Sequence, residues 1–268
     1  MLEVENLSVS YGAGDVLRDV SFSAAAGERL SVLGPNGVGK STLFKCMLGL
    51  LKARAGHVRI DGKDIRDMKR PDAAKLIAYI PQSTSPAFNY TVLDTVLMGV
   101  ASQLPAFRGP CGAHYDKAMD ILKSLGIAHL SDRGCGKISG GERQLTLLAR
   151  TLIQDAHILV MDEPTANLDY GNRFRVMERV EALGSKGYTV VFSTHEPNHA
   201  LSYSTAVLAL KDGAVLAWGD PAAVLTEDTL SSLYGIGVSV GRLEAAGKEH
   251  LVSIPYHRPA PAAVEREV

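Results

Sequence analysis

The chain has 268 residues, of which 46% are hydrophobic and 21% are charged, and its formal net charge is -1. This composition is typical of a folded globular protein and excludes a disordered chain or a small disulfide scaffold. The near-balance of charge excludes an overall positive field that would attract nucleic acid.

Targeting and membrane signals are absent from the sequence pattern. The amino terminus has acidic residues and no apolar signal-peptide core, and no stretch approaches the roughly 18 unbroken apolar residues of a spanning helix. The three cysteines are far apart and lack metal-ligand spacing, which favours a reducing compartment over a disulfide framework or a zinc site. We expect a chain that is neither exported nor embedded in a membrane.

The first part of the chain predicts β-structure around one helix. Apolar and polar residues alternate in the period of half-buried strands, and short apolar runs predict buried strands. The glycine-rich segment after the third strand is followed by a helical pattern. The predicted strands are 2–9, 20–24, 29–33, 58–60 and 76–80, and the helix covers 43–48.

Residues from about 87 to 150 predict a helical insertion, after which strands and helices alternate again. Thr91 and Asp94 fit a capping box at its start. Alternating strands and helices predict a parallel sheet. The predicted helices are 115–125, 142–153, 172–183 and a short one after Pro197; the strands are 157–161 and 188–193, with a hairpin at 206–218.

A phosphate-binding loop is predicted between a strand and a helix. The segment fits the pattern G-x-x-x-x-G-K-[ST], whose glycines let backbone N–H groups turn towards phosphates at a helix N-terminus. Lys40 is expected to reach the β- and γ-phosphates, and Ser41 to offer its hydroxyl to Mg²⁺. The predicted phosphate-binding residues are Gly34, Pro35, Asn36, Gly37, Val38, Gly39, Lys40, Ser41 and Thr42.

Two adjacent carboxylates end the apolar strand at residues 157–161. We expect Asp162 to hold the metal shell and Glu163 to orient an attacking water. Ligands of open α/β sheets bind beyond the carboxyl ends of the strands. Four predicted strands are followed there by candidate site residues, which are Gly34, Gln82, Asp162 and His195.

The segment Ile138-Ser139-Gly140-Gly141-Glu142-Arg143-Gln144 precedes the carboxylate strand by one helix. With the phosphate loop and the paired carboxylates, it resembles the signature of the ATP-binding cassette family, with isoleucine where that family usually has leucine. The resemblance covers residues 1–218. It implies a P-loop ABC ATPase fold: a RecA-like parallel core, an N-terminal antiparallel β subdomain and an α-helical signature subdomain.

The resemblance also implies roles for individual residues. Tyr11 would stack under adenine, Gln82 would contact Mg²⁺ and the reaction centre, and His195 would contact the γ-phosphate. Ser139, Gly140, Gly141 and Asp169 would serve the nucleotide of a second copy in a head-to-tail dimer; for Asp169 a helix N-cap remains open beside that role. The implied catalytic residues are Lys40, Gln82, Glu163 and His195, the implied metal ligands are Ser41, Gln82 and Asp162, and the implied ligands are ATP and Mg²⁺.

Three segments narrow the resemblance to the ATPases of metal-chelate importers: 79–99, 165–172 and 195–201. It implies two copies of this chain at the cytoplasmic face of the membrane, under two permeases fed by a substrate-binding protein. The cargo would be a ferric siderophore, haem, cobalamin or an oxyanion such as molybdate. We expect an ABC ATPase domain at 1–220, with the helical subdomain at about 87–150, and an extension at 221–268 with short helices, a hairpin and a mobile tail from Pro255.

Other functions remain open at this point. A soluble cassette ATPase could serve cluster assembly rather than transport, although the coiled coils of repair types and the paired cassettes of translation types are absent. A nucleotide sensor without turnover is disfavoured by Glu163 and His195, and an exporter by the absence of fused membrane helices.

Overall fold

The computed structural model describes residues 1–12, 14–82, 90–105 and 108–257. Nearly all predicted strands and helices are observed, with ends that shift by a few residues. The strands are β1 (Leu2–Tyr11), β2 (Gly14–Ala24), β3 (Arg29–Leu33), β4 (Ala55–Ile60), β5 (Lys63–Asp64), β6 (Ile77–Ile80), β7 (Ile158–Met161), β8 (Thr189–Thr194), β9 (Ala206–Lys211), β10 (Ala214–Gly219), β11 (Gly237–Ala245) and β12 (Lys248–Tyr256).

The helices connect these strands and fill the region between β6 and β7. They are α1 (Lys40–Met47), α2 (Arg70–Ala74), α3 (Val92–Leu97), α4 (Gly112–Ser124), α5 (Gly140–Leu152), α6 (Tyr170–Ser185), α7 (Pro197–Tyr203), α8 (Pro221–Val224) and α9 (Glu227–Tyr234). Within the described ranges, no helix is both long and apolar enough to cross a bilayer.

A six-stranded sheet forms the centre of the molecule, in the order β10-β9-β3-β8-β7-β6. All neighbours except β10 and β9 run parallel. Successive residues of a strand point to opposite faces, so Ile158 and Val160 of β7 join one core and Leu159 and Met161 join the other. The parallel sheet is confirmed, and the carboxyl ends of β3, β8, β7 and β6 lie side by side at one edge.

The amino-terminal strands form a separate antiparallel sheet in the order β2-β1-β4-β5. Its buried residues share a core with α1 and with one face of the parallel sheet, as Leu7, Phe44 and Val191 illustrate. This sheet therefore rests on the helix that follows the glycine-rich loop.

Helices between β6 and β7 cover the other face of the parallel sheet. The capping box is confirmed: the Asp94 amide donates to Thr91 Oγ1 at 3.0 Å, and the Thr91 amide donates to Asp94 Oδ2 at 3.1 Å. Helix α4 begins three residues before its predicted start. The subdomain boundaries at 87, 150 and 220 remain predictions.

The last described elements pack against the central sheet at β9. Residues of α8 and α9 share a third core with β9 and α7, including Leu230, Val207 and Ala200. Beyond them, β11 and β12 pair as an antiparallel hairpin. The tail was predicted to start at Pro255, and this start is wrong, because Pro255 pairs with Val238 inside the hairpin. The rest of that tail, after residue 257, lies outside the described residues.

Candidate functional site

The loop between β3 and α1 has the backbone that phosphate binding requires. Gly37 and Gly39 adopt positive φ angles of 82° and 113°, which favour glycine. Gly34 admits no side chain, because a Cβ there would lie 2.6 Å from the carbonyl oxygen of Leu210. The loop leads directly into α1 at Lys40, so its amides stand at a helix N-terminus.

Lys40 is buried at the centre of this loop. Its Nζ donates to the carbonyl oxygens of Gly34 at 2.7 Å and Pro35 at 3.1 Å, and lies 3.6 Å from Oε1 of Glu163. Burial lowers the pKa of Lys40 although Glu163 and Asp162 favour its charged form. The ammonium is thus held among acceptors and close to one carboxylate.

Glu163 brings together residues from three strand ends. Its Oε2 accepts a hydrogen bond from Nε2 of Gln82 at 3.0 Å and lies 3.6 Å from Nδ1 of His195, while Oε1 faces Lys40. The side chain of Glu163 is only 10% exposed, and that of His195 is 47% exposed. The structure therefore brings Lys40, Gln82 and His195 to one carboxylate, that of Glu163.

Ser193, the penultimate residue of β8, fixes both carboxylate residues. Its hydroxyl donates to Oδ1 of Asp162 at 2.7 Å and accepts from the amide of Glu163 at 2.8 Å. Glu163 has a positive φ of 45°, a conformation that costs a non-glycine residue free energy and requires such support. Ser193 is not among the site residues predicted from the sequence, where its signal is a polar residue within a mostly apolar strand.

Oxygen donors suitable for a hard cation occur at the same edge. Asp162 is 3% exposed and also accepts a long hydrogen bond from the Tyr79 hydroxyl at 3.4 Å. Burial, with the Asp162 charge beside it, raises the pKa of Tyr79 to about 12. The Ser41 hydroxyl, in the first turn of α1, makes no hydrogen bond with another described residue. Hydroxyl, amide and carboxylate oxygens are the donors that Mg²⁺ accepts.

The cavity beside Glu163 has a volume of about 310 Å³. Asn36 lines it together with Gln82 and His195, whereas Val38 is buried and Thr42 is half-buried in α1. Ser139, Gly140 and Gly141 do not line it. The predicted second anion-binding loop is therefore separate from the first within one chain.

The signature loop instead packs against the loop that carries Asp169. Ser139 caps α5 and accepts from the Glu142 amide at 3.3 Å, while its own amide donates to Oε2 of Glu142 at 2.7 Å. A Cβ on Gly141 would lie 2.6 Å from the Asn172 side chain. Asp169 accepts the Asn172 amide at 2.8 Å, which confirms it as the N-cap of α6.

Tyr11 lies at the tip of the β1–β2 hairpin, opposite Gly14, and is 53% exposed. The same hairpin reaches the phosphate loop, because a Cβ on Gly39 would lie 2.7 Å from the Leu17 side chain. An exposed aromatic ring therefore stands at the tip of the hairpin whose second strand, β2, abuts the loop, which suits a planar base.

Two more residues near the site escaped the sequence analysis. Arg173 donates from Nε to the carbonyl of Leu168 at 2.8 Å and from Nη1 to Oε1 of Glu196 at 2.8 Å, so it links the Asp169 loop to the residue after His195. The hydroxyl of Tyr234 donates to the carbonyl of His195 at 2.9 Å. Both residues contact partners far away in the sequence, so no local sequence pattern predicts these contacts.

Comparison with known proteins gives consistent matches. The family model described as "ABC transporter" matches residues 17–166, and a model described as an AAA domain matches residues 136–200. A "Probable iron chelatin transport ATP-binding protein" of Helicobacter pylori is 40% identical over 236 residues, which cover 87% of this chain and 92% of that protein. A hemin import ATP-binding protein of Roseobacter denitrificans is 35% identical over 247 residues, which cover 89% of this chain and 92% of that protein.

A solved metal-chelate type transporter in an inward-facing conformation is similar in structure as well. It superposes with a TM-score of 0.86 at 31% sequence identity, and the match covers 96% of this chain and 98% of that one.

Proposed function

Because the chain belongs to the ABC transporter family and is a transporter ATPase of P-loop fold, we propose that it powers the import of a metal chelate through separate membrane permeases. The observation that carries the hydrolytic part is the position of Glu163, whose carboxylate lies within 3.6 Å of both Lys40 and His195 and 3.0 Å from Gln82. The cargo class is inferred from relatives named for iron chelatin and hemin and from a metal-chelate type neighbour. These names favour a chelate over an oxyanion such as molybdate as the cargo.

The reaction is ATP hydrolysis at this cluster. Glu163 accepts a proton from a water that attacks the γ-phosphorus, the bond to the β,γ-bridging oxygen breaks, and ADP leaves with that electron pair beside inorganic phosphate. Lys40 neutralises charge on the β- and γ-phosphates, and His195 donates to the transferred phosphoryl oxygens. Gln82 orients Glu163 through its amide, and Tyr11 stacks under adenine.

The oxygen donors described above fit Mg²⁺. Ser41, Gln82 and Asp162 would hold it, either directly or through water. When bound, the ion would neutralise phosphate charge. Ser193 and Tyr79 would keep Asp162 oriented towards it, because both donate to the Asp162 carboxylate.

A second copy of the chain is part of the proposal. Ser139, Gly140 and Gly141 lie at the N-terminus of the 13-residue helix α5 and away from the cavity beside Glu163. In a head-to-tail dimer they would contact the γ-phosphate bound to the other copy, with Asp169 beside them. ATP would then favour a closed dimer, and hydrolysis would release it.

A cleft between α2, α5 and the 3₁₀ turn after α3 suits a permease loop. Its volume is about 440 Å³, and exposed Leu50 and Met98 lie on its rim. Arg150 lines it; burial lowers the pKa of Arg150, and its guanidinium makes no ion pair with any described residue. Ser102 Oγ is likewise buried without a partner in the described part of the chain. A helical loop ending in carbonyls or a carboxylate would satisfy both groups.

The same cleft is connected to the reaction centre through one side chain. Tyr79 lines the cleft, and its hydroxyl donates to Asp162. A permease loop that moves Tyr79 would therefore move a group in contact with the metal-binding carboxylate. The chain would work at the cytoplasmic face of the membrane, bound to its permeases and not inserted.

The importer proposal is tested by identifying the membrane partner. Tagged Glu163→Gln chain, which should retain the closed dimer, is purified from its native membranes with Mg·ATP, and Glu178→Gln on the exposed face of α6 is the matched control. We expect a many-helix permease to co-purify with the Glu163→Gln chain. Recovery of soluble partners alone would contradict the proposal and favour a soluble cassette ATPase, for example in cluster assembly.

The cargo is tested on the recovered complex. Wild-type complex in liposomes is given binding proteins loaded with a ferric siderophore, haem or cobalamin, and ATP hydrolysis is measured against empty binding protein. One of the three should stimulate hydrolysis. A lack of stimulation by any of them, with molybdate-loaded binding protein active instead, would replace the chelate by an oxyanion.

A further inference from the structure

His195 lies in a short connection whose two ends are held differently. Before it, β8 is a fully buried central strand. After it, Glu196 is tied to neighbouring elements: its amide donates to Thr194 Oγ1 at 3.0 Å, and its carboxylate meets Arg173 at 2.8 Å and His199 at 3.3 Å. The Thr194 contact holds the N–H of the peptide between residues 195 and 196, and the carbonyl of the same peptide, that of His195, has a different partner.

That group is Tyr234, the last residue of α9. Its hydroxyl donates to the His195 carbonyl at 2.9 Å, the only hydrogen bond that this oxygen receives from the described residues. Burial raises the pKa of Tyr234 far above its usual value, so the hydroxyl remains a donor at any physiological pH. The contact comes from a residue outside the segment 1–218 that resembles the ATP-binding cassette family.

The hairpin β11–β12 holds the helix that follows His195. Asn198 in α7 and Ser253 in β12 form three hydrogen bonds: the Ser253 amide and hydroxyl donate to Asn198 Oδ1 at 2.7 and 2.9 Å, and Asn198 Nδ2 donates to the Ser253 carbonyl at 3.2 Å. An apolar cavity of about 260 Å³ separates this clasp from Tyr234 and is lined by Pro197 and Val238. The carboxyl-terminal elements thus contact the segment around His195 twice, through Tyr234 and through Ser253, with the cavity between the two contacts.

We propose that Tyr234 is a positioning residue for His195, and that it sets the distance of the imidazole from Glu163 by fixing the peptide between residues 195 and 196. The proposal rests on the catalytic role of His195 proposed above. Thr194 and Tyr234 hold the two polar groups of this peptide, its N–H and its carbonyl. Loss of the Tyr234 contact leaves the carbonyl without a partner among the described residues, and a displacement of this backbone carries the side chain of His195 with it. An error of about 1 Å at a reacting group is enough to slow a reaction substantially.

The test compares two tyrosines of the same region. Tyr234→Phe removes the hydroxyl and keeps the ring. Tyr256→Phe does the same at a residue that is 50% exposed and whose hydroxyl has no hydrogen bond in the described part of the chain. Each variant is measured for kcat and KM with Mg·ATP, for Tm, and for the NMR resonances of the eight histidines. The His195 resonance is assigned from its loss in His195→Ala.

We expect Tyr234→Phe to lower kcat about two- to tenfold, the effect of losing one hydrogen bond, with KM changed less than about twofold. It should also shift the His195 resonance, and Tyr256→Phe should change neither. An unchanged kcat, or a lower kcat with an unmoved His195 resonance, would overturn the positioning role. If His195→Ala retains wild-type hydrolysis, the catalytic role of His195 fails, and the positioning role of Tyr234 fails with it, whereas a loss in His195→Ala without a loss in Tyr234→Phe overturns the positioning role alone.

Discussion

The edge of the parallel sheet and the carboxyl-terminal elements contribute to the site in different ways. At the edge, Lys40, Glu163 and His195 follow three different strands. A side-chain nitrogen of Lys40 and one of His195 each lie 3.6 Å from the Glu163 carboxylate. The carboxyl-terminal elements carry no motif, yet Tyr234 and Ser253 contact the segment around His195. The residue types at the strand ends determine the chemistry. The position of the segment around His195 depends on contacts between residues far apart in the sequence: Tyr234 is 39 positions from His195, and Ser253 is 55 positions from Asn198.

Among the contacts that support the site, the largest effect should come from the hydroxyl that orients both carboxylates at the sheet edge. Ser193→Ala removes the hydroxyl that joins Asp162 to the Glu163 amide, and we expect kcat to fall about 10- to 100-fold because both carboxylates lose their positions. The unpartnered Glu163 amide should also cost about 1–3 kcal/mol of unfolding free energy. Steady-state hydrolysis and urea unfolding measure the two effects.

Ser31→Ala is the matched control for Ser193→Ala. Ser31 is fully buried in the neighbouring strand β3, and its hydroxyl has no partner among the described residues. Its removal should leave both activity and stability unchanged or slightly improved. Equal losses in the two variants would mean that Ser193 only fills space.

The next largest effect concerns the contact between the signature and Asp169 loops. Gly141→Ala places a methyl group 2.6 Å from Asn172, and we expect a roughly tenfold loss of hydrolysis with about 1–3 kcal/mol of destabilisation. Gly171→Ala has the same helical position in α6 and meets only Asp169 Oδ1 at 3.8 Å. It should be neutral, or stabilising by up to about 1 kcal/mol. Similar activities in the two variants would contradict this coupling.

A smaller effect should come from opening the clasp of the carboxyl-terminal hairpin. Asn198→Ala removes the three hydrogen bonds to Ser253, and we expect a loss of about 1–3 kcal/mol in unfolding free energy and a kcat lower by about two- to fivefold. Arg242→Ala breaks the hairpin's own ion pair with Glu249, which is exposed, and should change stability by less than about 0.5 kcal/mol. If Arg242→Ala lowers kcat as much as Asn198→Ala does, then the effect on kcat does not depend on the hydrogen bonds between Asn198 and Ser253.

The smallest effect is a change in alkaline stability. The pKa of Tyr79 is raised from 10.0 to about 12 by burial, so the folded chain binds this proton more tightly than the unfolded chain. The resulting stabilisation is present below pH 10 and is lost as the pH rises through about 12. The difference in unfolding free energy between wild type and Tyr79→Phe should therefore decrease over this interval. A difference that stays constant with pH would contradict the shifted pKa.

Much of the site follows from the sequence because its residues sit at strand ends. Once the strands at 29–33, 76–80, 157–161 and 188–193 are predicted to be parallel, the residues after them must share one edge, and the order β3-β8-β7-β6 confirms this. The capping boxes at Thr91 and Ser139 are equally local, since each involves residues three positions apart.

The remainder depends on contacts that local patterns do not contain. The start of α4 was placed too late because its first turn, Gly112–His114, has no apolar periodicity. The fold brings together the partners of three site residues, which are Ser193, Arg173 and Tyr234. Residues of these types are common on protein surfaces or in packing contacts, so the sequence alone does not indicate their roles. The hairpin β11–β12 is a further example, because its contribution to the site depends on the contact of Ser253 with Asn198 in α7 and not on a sequence motif.

The central claim is that Glu163 performs the chemical step and not nucleotide binding. The direct measurement is ATP hydrolysis and ATP affinity of Glu163→Gln beside Glu178→Gln, both with Mg²⁺. We predict that Glu163→Gln loses at least about 100-fold in kcat, the range for removing a general base, while its dissociation constant for ATP stays within about threefold of wild type. Hydrolysis that survives in Glu163→Gln, or a loss explained by weaker ATP binding, would contradict this assignment.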